Sequence, residues 1–110
     1  MVNFLQKNTL PALKISLKGL LQSHCLVPFN WTFNDLSNFL PELLCLSKEV
    51  LIYRNHQLMD DEDSFLLHTC LKKTYDCHFP EDRVILKLKI DKIVEVDQDT
   101  PLPLQLYETF

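Results

Sequence analysis

Four histidines (His24, His56, His68, His78) and four cysteines (Cys25, Cys45, Cys70, Cys77) are the side chains best able to hold a metal or attack a substrate. They form three close pairs: His24-Cys25, His68-x-Cys70 and Cys77-His78. Structural zinc sites usually space their ligands as Cys-x(2–4)-Cys or His-x(3–5)-His, which lets both ligands of a knuckle turn to one ion. Adjacent ligands such as Cys77-His78 rarely do so, above all in a strand, so packed thiols and solvated histidines are expected here. Cys-His nucleophilic chemistry depends on spatial pairing, and no catalytic motif or glycine-rich oxyanion turn supports it. The consecutive acids Asp60, Asp61, Glu62 and Asp63 lack the spaced ligands and the glycine of a calcium loop. They read as a solvated acidic loop. The expectation is therefore no enzyme, no metal and no cofactor.

The composition narrows the class further. With 110 residues there is room for one ordinary domain. The chain is 46% hydrophobic and 24% charged, as globular chains are. Gly19 is the single glycine, which excludes a dinucleotide fold or a P-loop, since both bring several glycines close to phosphate. Turns that need positive φ must then fall to Asn, Asp or His, or be replaced by longer loops. A net charge of −4 and a pI near 5.4 argue against nucleic-acid binding through a general basic field, although a local basic face is still allowed. No apolar run approaches the ~20 residues of a membrane span. The start MVNFLQKNTLPALK lacks the basic and apolar regions of a signal peptide. The protein is expected in the cytoplasm or the nucleus, with its cysteines reduced.

The elements that would position these residues follow from periodicity. Leu13, Ile15 and Leu17 alternate with Lys14, Ser16 and Lys18, the pattern of a half-buried strand. Its partner is either residues 2–6, or residues 26–31 following a first strand at 13–17. Thr32 opens a helix with Asp35 in its first turn, and Phe33, Leu36, Leu40, Leu43 and Leu44 form its apolar face. Pro41 predicts a break near Leu40, because proline in a helix interior costs about 3 kcal/mol. Residues 50–53 are β-branched and aromatic, hence a strand. Residues 54–57 form a turn, with Asn55 best suited to positive φ, and Leu58 returns to the core. Residues 66–73 predict one or two helical turns, followed by a loop through Pro80. Val84, Leu86, Leu88 and Ile90 alternate with Ile85, Lys87 and Lys89, and residues 93–96 extend this strand or form another. The closing TPLPLQLYETF reads as extended. This order is that of a β-grasp: α+β, with a mixed sheet of four to five strands packed on one helix. The predicted division is residues 1–98 as the domain and 99–110 as an extended, proline-containing tail.

At VLIYRNHQLMDDEDSF the chain resembles the ubiquitin-like family. Leu51, Ile52, Tyr53, Gln57, Leu58, Asp60 and Phe65 fill that family's strand, turn, Gln-Leu pair, acidic residues and helix-opening apolar position. Thr32, Phe33 and Leu36 match the start of its helix. Elongin B-like members are the nearest resemblance, through Tyr53, the paired acids Asp60-Asp61, Cys70, the long loop before the last strand and a tail ending near Leu104, Tyr107 and Glu108. There are departures: Asn55 and Glu62 replace expected glycines, the segment before Thr32 is longer, and the end Glu108-Thr109-Phe110 carries no diglycine. With that end, a conjugated modifier is not expected. The resemblance implies a non-catalytic adaptor subunit that pairs with an elongin C-like protein in a cullin-type ubiquitin ligase or a transcription elongation complex. The rival reading is an architectural subunit of another stable assembly, in RNA processing or transcription.

A partner surface is expected on the sheet face away from the helix: Lys14, Ser16, Lys18, Ile52, Ile85, Lys87 and Lys89, with Ile52 and Ile85 as apolar anchors rimmed by lysines. Leu102, Leu104, Leu106 and Tyr107 of the tail either dock on the partner or cover the chain's own sheet. Phe4, Phe29, Trp31 and Phe110 have no assigned place, as is expected of an obligate subunit of a hetero-oligomer.

Overall fold

The computed structural model describes residues 8–19, 22–59 and 64–107, and of Tyr107 only the backbone. The segment 2–6, Phe4, Phe110, Glu108 and the acidic run Asp60 to Asp63, all of which figured in the sequence reading, lie outside the described residues.

The alternation at Leu13, Ile15 and Leu17 belongs to a ten-residue strand, β1 (Thr9–Lys18), paired antiparallel with β2 (Ser23–Pro28). This is the second of the two registers, with β2 shifted towards the N-terminus. Gly19 ends β1 with φ 154°; a Cβ there would run into a methyl of Leu86 and lie 3.0 Å from the carbonyl oxygen of Ile85. Glycine is therefore required at this crossing.

Thr32 caps α1 (Phe33–Leu44): its hydroxyl accepts the Asp35 N–H at 3.3 Å, and the Asp35 carboxylate accepts the Thr32 N–H at 2.9 Å. The two ends thus satisfy each other's free donors. The helix does not break at Leu40. Pro41 sits inside it, buried, in the last turn, where the chain ends the helix regardless. Cys45 turns left-handed (φ 53°), the Leu46 N–H reaches the Pro41 carbonyl at 3.1 Å, and the Cys45 N–H reaches that of Glu42 at 3.4 Å. This is the Schellman arrangement, made with cysteine where glycine is usual.

β3 (Leu51–Arg54) and β4 (Gln57–Leu58) form a hairpin around Asn55 and His56, both at positive φ (53° and 67°), as a two-residue turn of matching twist demands. A 3-10 turn at Leu67–Cys70 follows, then β5 (Thr74–Phe79), β6 (Val84–Asp97) and β7 (Leu104–Tyr107). The strands stand in the order β4-β3-β5-β6-β1-β2-β7, and every neighbouring pair is antiparallel.

This corrects the β-grasp expectation. A mixed sheet of four to five strands is replaced by a seven-stranded antiparallel sheet with one helix on one face. Two features account for the difference. Residues 74–79, expected as loop, are strand: Tyr75, Cys77 and Phe79 point inward, with Thr74, Asp76 and His78 outward. The run from Val84 through Asp97 is one 14-residue strand that enters antiparallel to β1, leaving no parallel pair. Of the segment expected as a tail, Leu104–Tyr107 adds β7 to the outer edge of β2.

The core lies between α1 and the inner sheet face. Phe33, Leu36 and Leu40 of the helix are buried there with Ile15, Leu17, Val27, Tyr75, Phe79, Leu86, Leu88 and Ile90. The Phe33 and Tyr75 rings meet edge to face at 5.1 Å. Trp31 packs against Phe39 in the same manner at 5.3 Å, and Phe29 stacks on His68 at 4.3 Å.

Candidate lysine-lined site on the outer sheet face

Strand periodicity determines what the other face presents. When Ile15, Leu17, Leu86, Leu88 and Ile90 turn inward, their neighbours must turn out. Four lysines come together by this rule, Lys14 and Lys18 from β1 and Lys87 and Lys89 from β6, and a register shift in β6 adds Lys92, with Lys18 opposite Lys87, Ser16 opposite Lys89 and Lys14 opposite Lys92. A chain with a net charge of −4 thus carries a local basic face. Ile85, on the same face, is 64% exposed.

Most residues expected on this face lie there. Lys14, Lys18, Ile85, Lys87 and Lys89 share it, and the register of β7 turns Leu104 and Leu106 to the same side, beside Leu26 and His24. Leu102 lies just before β7, half-buried, and Tyr107 pairs by its backbone with Ser23. Ile52 is the correction. It pairs with inward-facing Cys77 and is only 6% exposed, so it belongs to the core, while Tyr53 faces outward beside Asp76. The run Leu51-Ile52-Tyr53 has no polar residue to fix its phase, and a slip of one residue exchanges the faces. Leu58, expected to return to the core, is 41% exposed on the two-residue strand β4.

Asp91 owes its position to a defect in the ladder. Lys14 pairs with Lys92 but Ile15 pairs with Ile90, which leaves Asp91 as an extra residue in β6. A bulge of this kind re-aims a side chain and sharpens the local twist. The Ser16 hydroxyl donates to the Asp91 carboxylate, and Ser16 Oγ lies 3.1 Å from His24 Nδ1. His24 Nδ1 is 3.9 Å from Asp91 Oδ2. Around this group the face dips into a hollow of about 340 Å³. Its walls also carry Lys18, Lys87 and Lys89, with Thr74 and Gln22. Lys87 Nζ reaches Asp76 Oδ1 at 3.0 Å, an exposed ion pair.

Serine, histidine and aspartate together invite a hydrolase reading, which the connectivity opposes. In a nucleophilic triad the histidine stands between serine and aspartate and takes the serine proton. Here the serine stands between the other two and gives its proton to the carboxylate. Ser16 also lies mid-strand, between β2 and β6, where the neighbouring ladders engage the backbone N–H groups that an oxyanion would require.

The cysteine-histidine pairs of the sequence do not combine. In β2, Cys25 is buried and His24 faces out; in β5, Cys77 is buried and His78 faces out. All four cysteines are free thiols, Cys45 exposed and the others buried. Among the described residues no group of three or more metal-ligating side chains comes together. No described helix is long and apolar enough to cross a membrane.

Sequence reading missed Asp91, Thr74 and Gln22. The one signal for Asp91 was the end of strict alternation after Ile90; Thr74 was hidden by reading β5 as a loop.

No family model matches the chain, and no curated protein does. Among solved structures, the chain is similar to the protein of unknown function MM3350 from Methanosarcina mazei Go1. The superposition has a TM-score of 0.55 at 17% identity, covering 91% of this chain and 68% of that one. At that identity the likeness concerns the fold alone.

Proposed function

We propose that the chain is a non-catalytic protein-binding subunit whose contact surface is the outer face of its sheet. The observation that carries this reading is Ile85, an apolar side chain 64% exposed at the start of β6, with Lys87 and Lys89 following it on the same face. A small apolar anchor rimmed by charge is the usual composition of a binding centre, because the anchor supplies desolvation energy and the rim supplies orientation. Lysine stems add apolar area along the strands while their ammonium groups stay solvated. Leu104 and Leu106 extend the surface at the β7 edge. The partner is to be sought in the cytoplasm or nucleus. The resemblance to elongin B-like members implies an elongin C-like partner, but it implies a β-grasp as well, which the antiparallel sheet replaces; binding through the outer face does not depend on that partner.

The test compares proteins retained from a source-cell extract by the wild type and by an Ile85→Asp/Lys14→Glu variant with an unchanged melting temperature. A partner recovered in stoichiometric amount by the wild type and lost by the variant is the expected result. Equal retention by both proteins sinks the proposal.

A further inference from the structure

The outer face is not uniform, and its hollow carries more information than the rest. Lys18, Lys87 and Lys89 line it together with one carboxylate, Asp91, while a second, Asp76, pairs with Lys87 beside it, so the three ammonium groups keep an excess of one positive charge. Asp91 is already engaged by the Ser16 hydroxyl and lies beside His24. Lys87 shares its ammonium with Asp76 in an exposed pair, which is weak and readily exchanged for a better acceptor. A single side-chain carboxylate would match that excess but brings only two acceptor oxygens to three ammonium groups. A phosphate monoester carries about −1.5 to −2 at pH 7 and offers three strong acceptor oxygens, which suit the several donors, and Lys14 and Lys92 further along the same face add to the positive charge it meets. Lysine binds phosphate as a point charge without a fixed fork, which suits a shallow hollow walled by strands. The hydroxyl of Thr74 and the amide of Gln22 add neutral donors.

We infer that this hollow is the seat of a phosphorylated serine or threonine side chain presented by the protein partner. The inference rests on the protein-binding reading above. Nucleic acid is the less fitting source of phosphate. The chain is acidic overall, which opposes the long-range attraction that governs nucleic-acid affinity. Single-strand binders also stack bases on aromatic rings, and among the described residues Tyr53 brings the one phenyl ring on this face.

The experiment has two arms. In the first, the full chain is titrated with N-acetyl-O-phosphoserine methylamide and followed by phosphorus and amide NMR. A saturable phosphorus shift is expected, with amide shifts centred on Ser16, Thr74 and Lys89. The N-acetylglutamate analogue should bind at least about tenfold more weakly. Binding should vanish in Lys18→Ala/Lys89→Ala while the melting temperature holds, and should survive in Lys48→Ala, which lies outside the hollow. Equal binding of the glutamate analogue, undiminished binding by the double variant, or displacement of the probe by oligouridylate at lower concentration overturns the inference. In the second arm, the extract is treated with phosphatase before capture on the wild type. Loss of the partner supports the inference. A partner still retained after phosphatase, and still lost by Ile85→Asp/Lys14→Glu, overturns the phosphate assignment and leaves the protein-binding reading standing.

Discussion

Cys25 on β2 and Cys77 on β5 are closed off from water, and a thiolate in either place would lose its hydration. Burial pushes the Cys25 thiol up to about 11 and, with the Asp76 charge adding to it, the Cys77 thiol up to about 12. The unfolded thiols ionise near 9.0. From there up to about 11 and 12 the unfolded chain has released protons that the folded chain still holds. Stability is therefore intact below the lower value and falls as pH rises through that window. Thermal melts between pH 8 and 11 should show this fall, and a Cys25→Ala/Cys77→Ala variant should show a shallower one. Cys45, exposed, should react with a thiol reagent in the native state, whereas Cys25 and Cys77 should wait for unfolding. The same residue holds a left-handed conformation that favours glycine, so Cys45→Gly should raise stability by about 1 kcal/mol, read from the urea midpoint. Gly19→Ala should do the opposite by more than about 1 kcal/mol, since its backbone is also at positive φ and Leu86 leaves no room.

Among the elements, α1 depends most visibly on one residue. Thr32→Ala removes half of the capping box and should cost about 1 kcal/mol in denaturant unfolding. That cap, the apolar face of α1 and the alternation of β1 and β6 were all legible in the sequence, because each rests on local spacing. β5 was legible in principle, as Tyr75, Cys77 and Phe79 alternate strictly with Thr74, Asp76 and His78, yet the stretch was expected as a loop through Pro80. The phase of β3 was not legible: three consecutive apolar residues fit either face, and pairing with β5 decides it. Nor did the sequence show the Asp91 bulge, which exists only through the register of β6 against β1. Removing residues 101–110 tests β7 in the same way. It opens the backbone edge of β2 and takes away Gln105, whose amide reaches the buried Ser23 hydroxyl at 3.5 Å. The shortened chain should melt earlier and scatter more light as open edges pair between molecules.

At the scale of the whole molecule, the fold is a thin, elongated slab of 57 × 33 × 21 Å, a single layer of strands with α1 on one side. The helix, with Leu67 and Cys70 of the 3-10 turn, covers the core, so Leu36→Ala should cost about 2–5 kcal/mol, measurable as a drop in the urea midpoint. The opposite face is thereby free of structural duty, and its lysines can be exchanged with little effect on stability, which makes the binding tests above readable. The position of β1 also bears on how the protein is made. It is the earliest described strand in the chain yet sits in the interior of the sheet, and its second neighbour β6 joins it through pairs as distant as Thr9 with Asp97. On the ribosome, a hairpin of β1 and β2 must wait with one sticky side bare while some sixty further residues are synthesised. Its lysines Lys14 and Lys18 then serve a purpose unrelated to any partner: like charges along a bare strand keep nascent chains from zipping together.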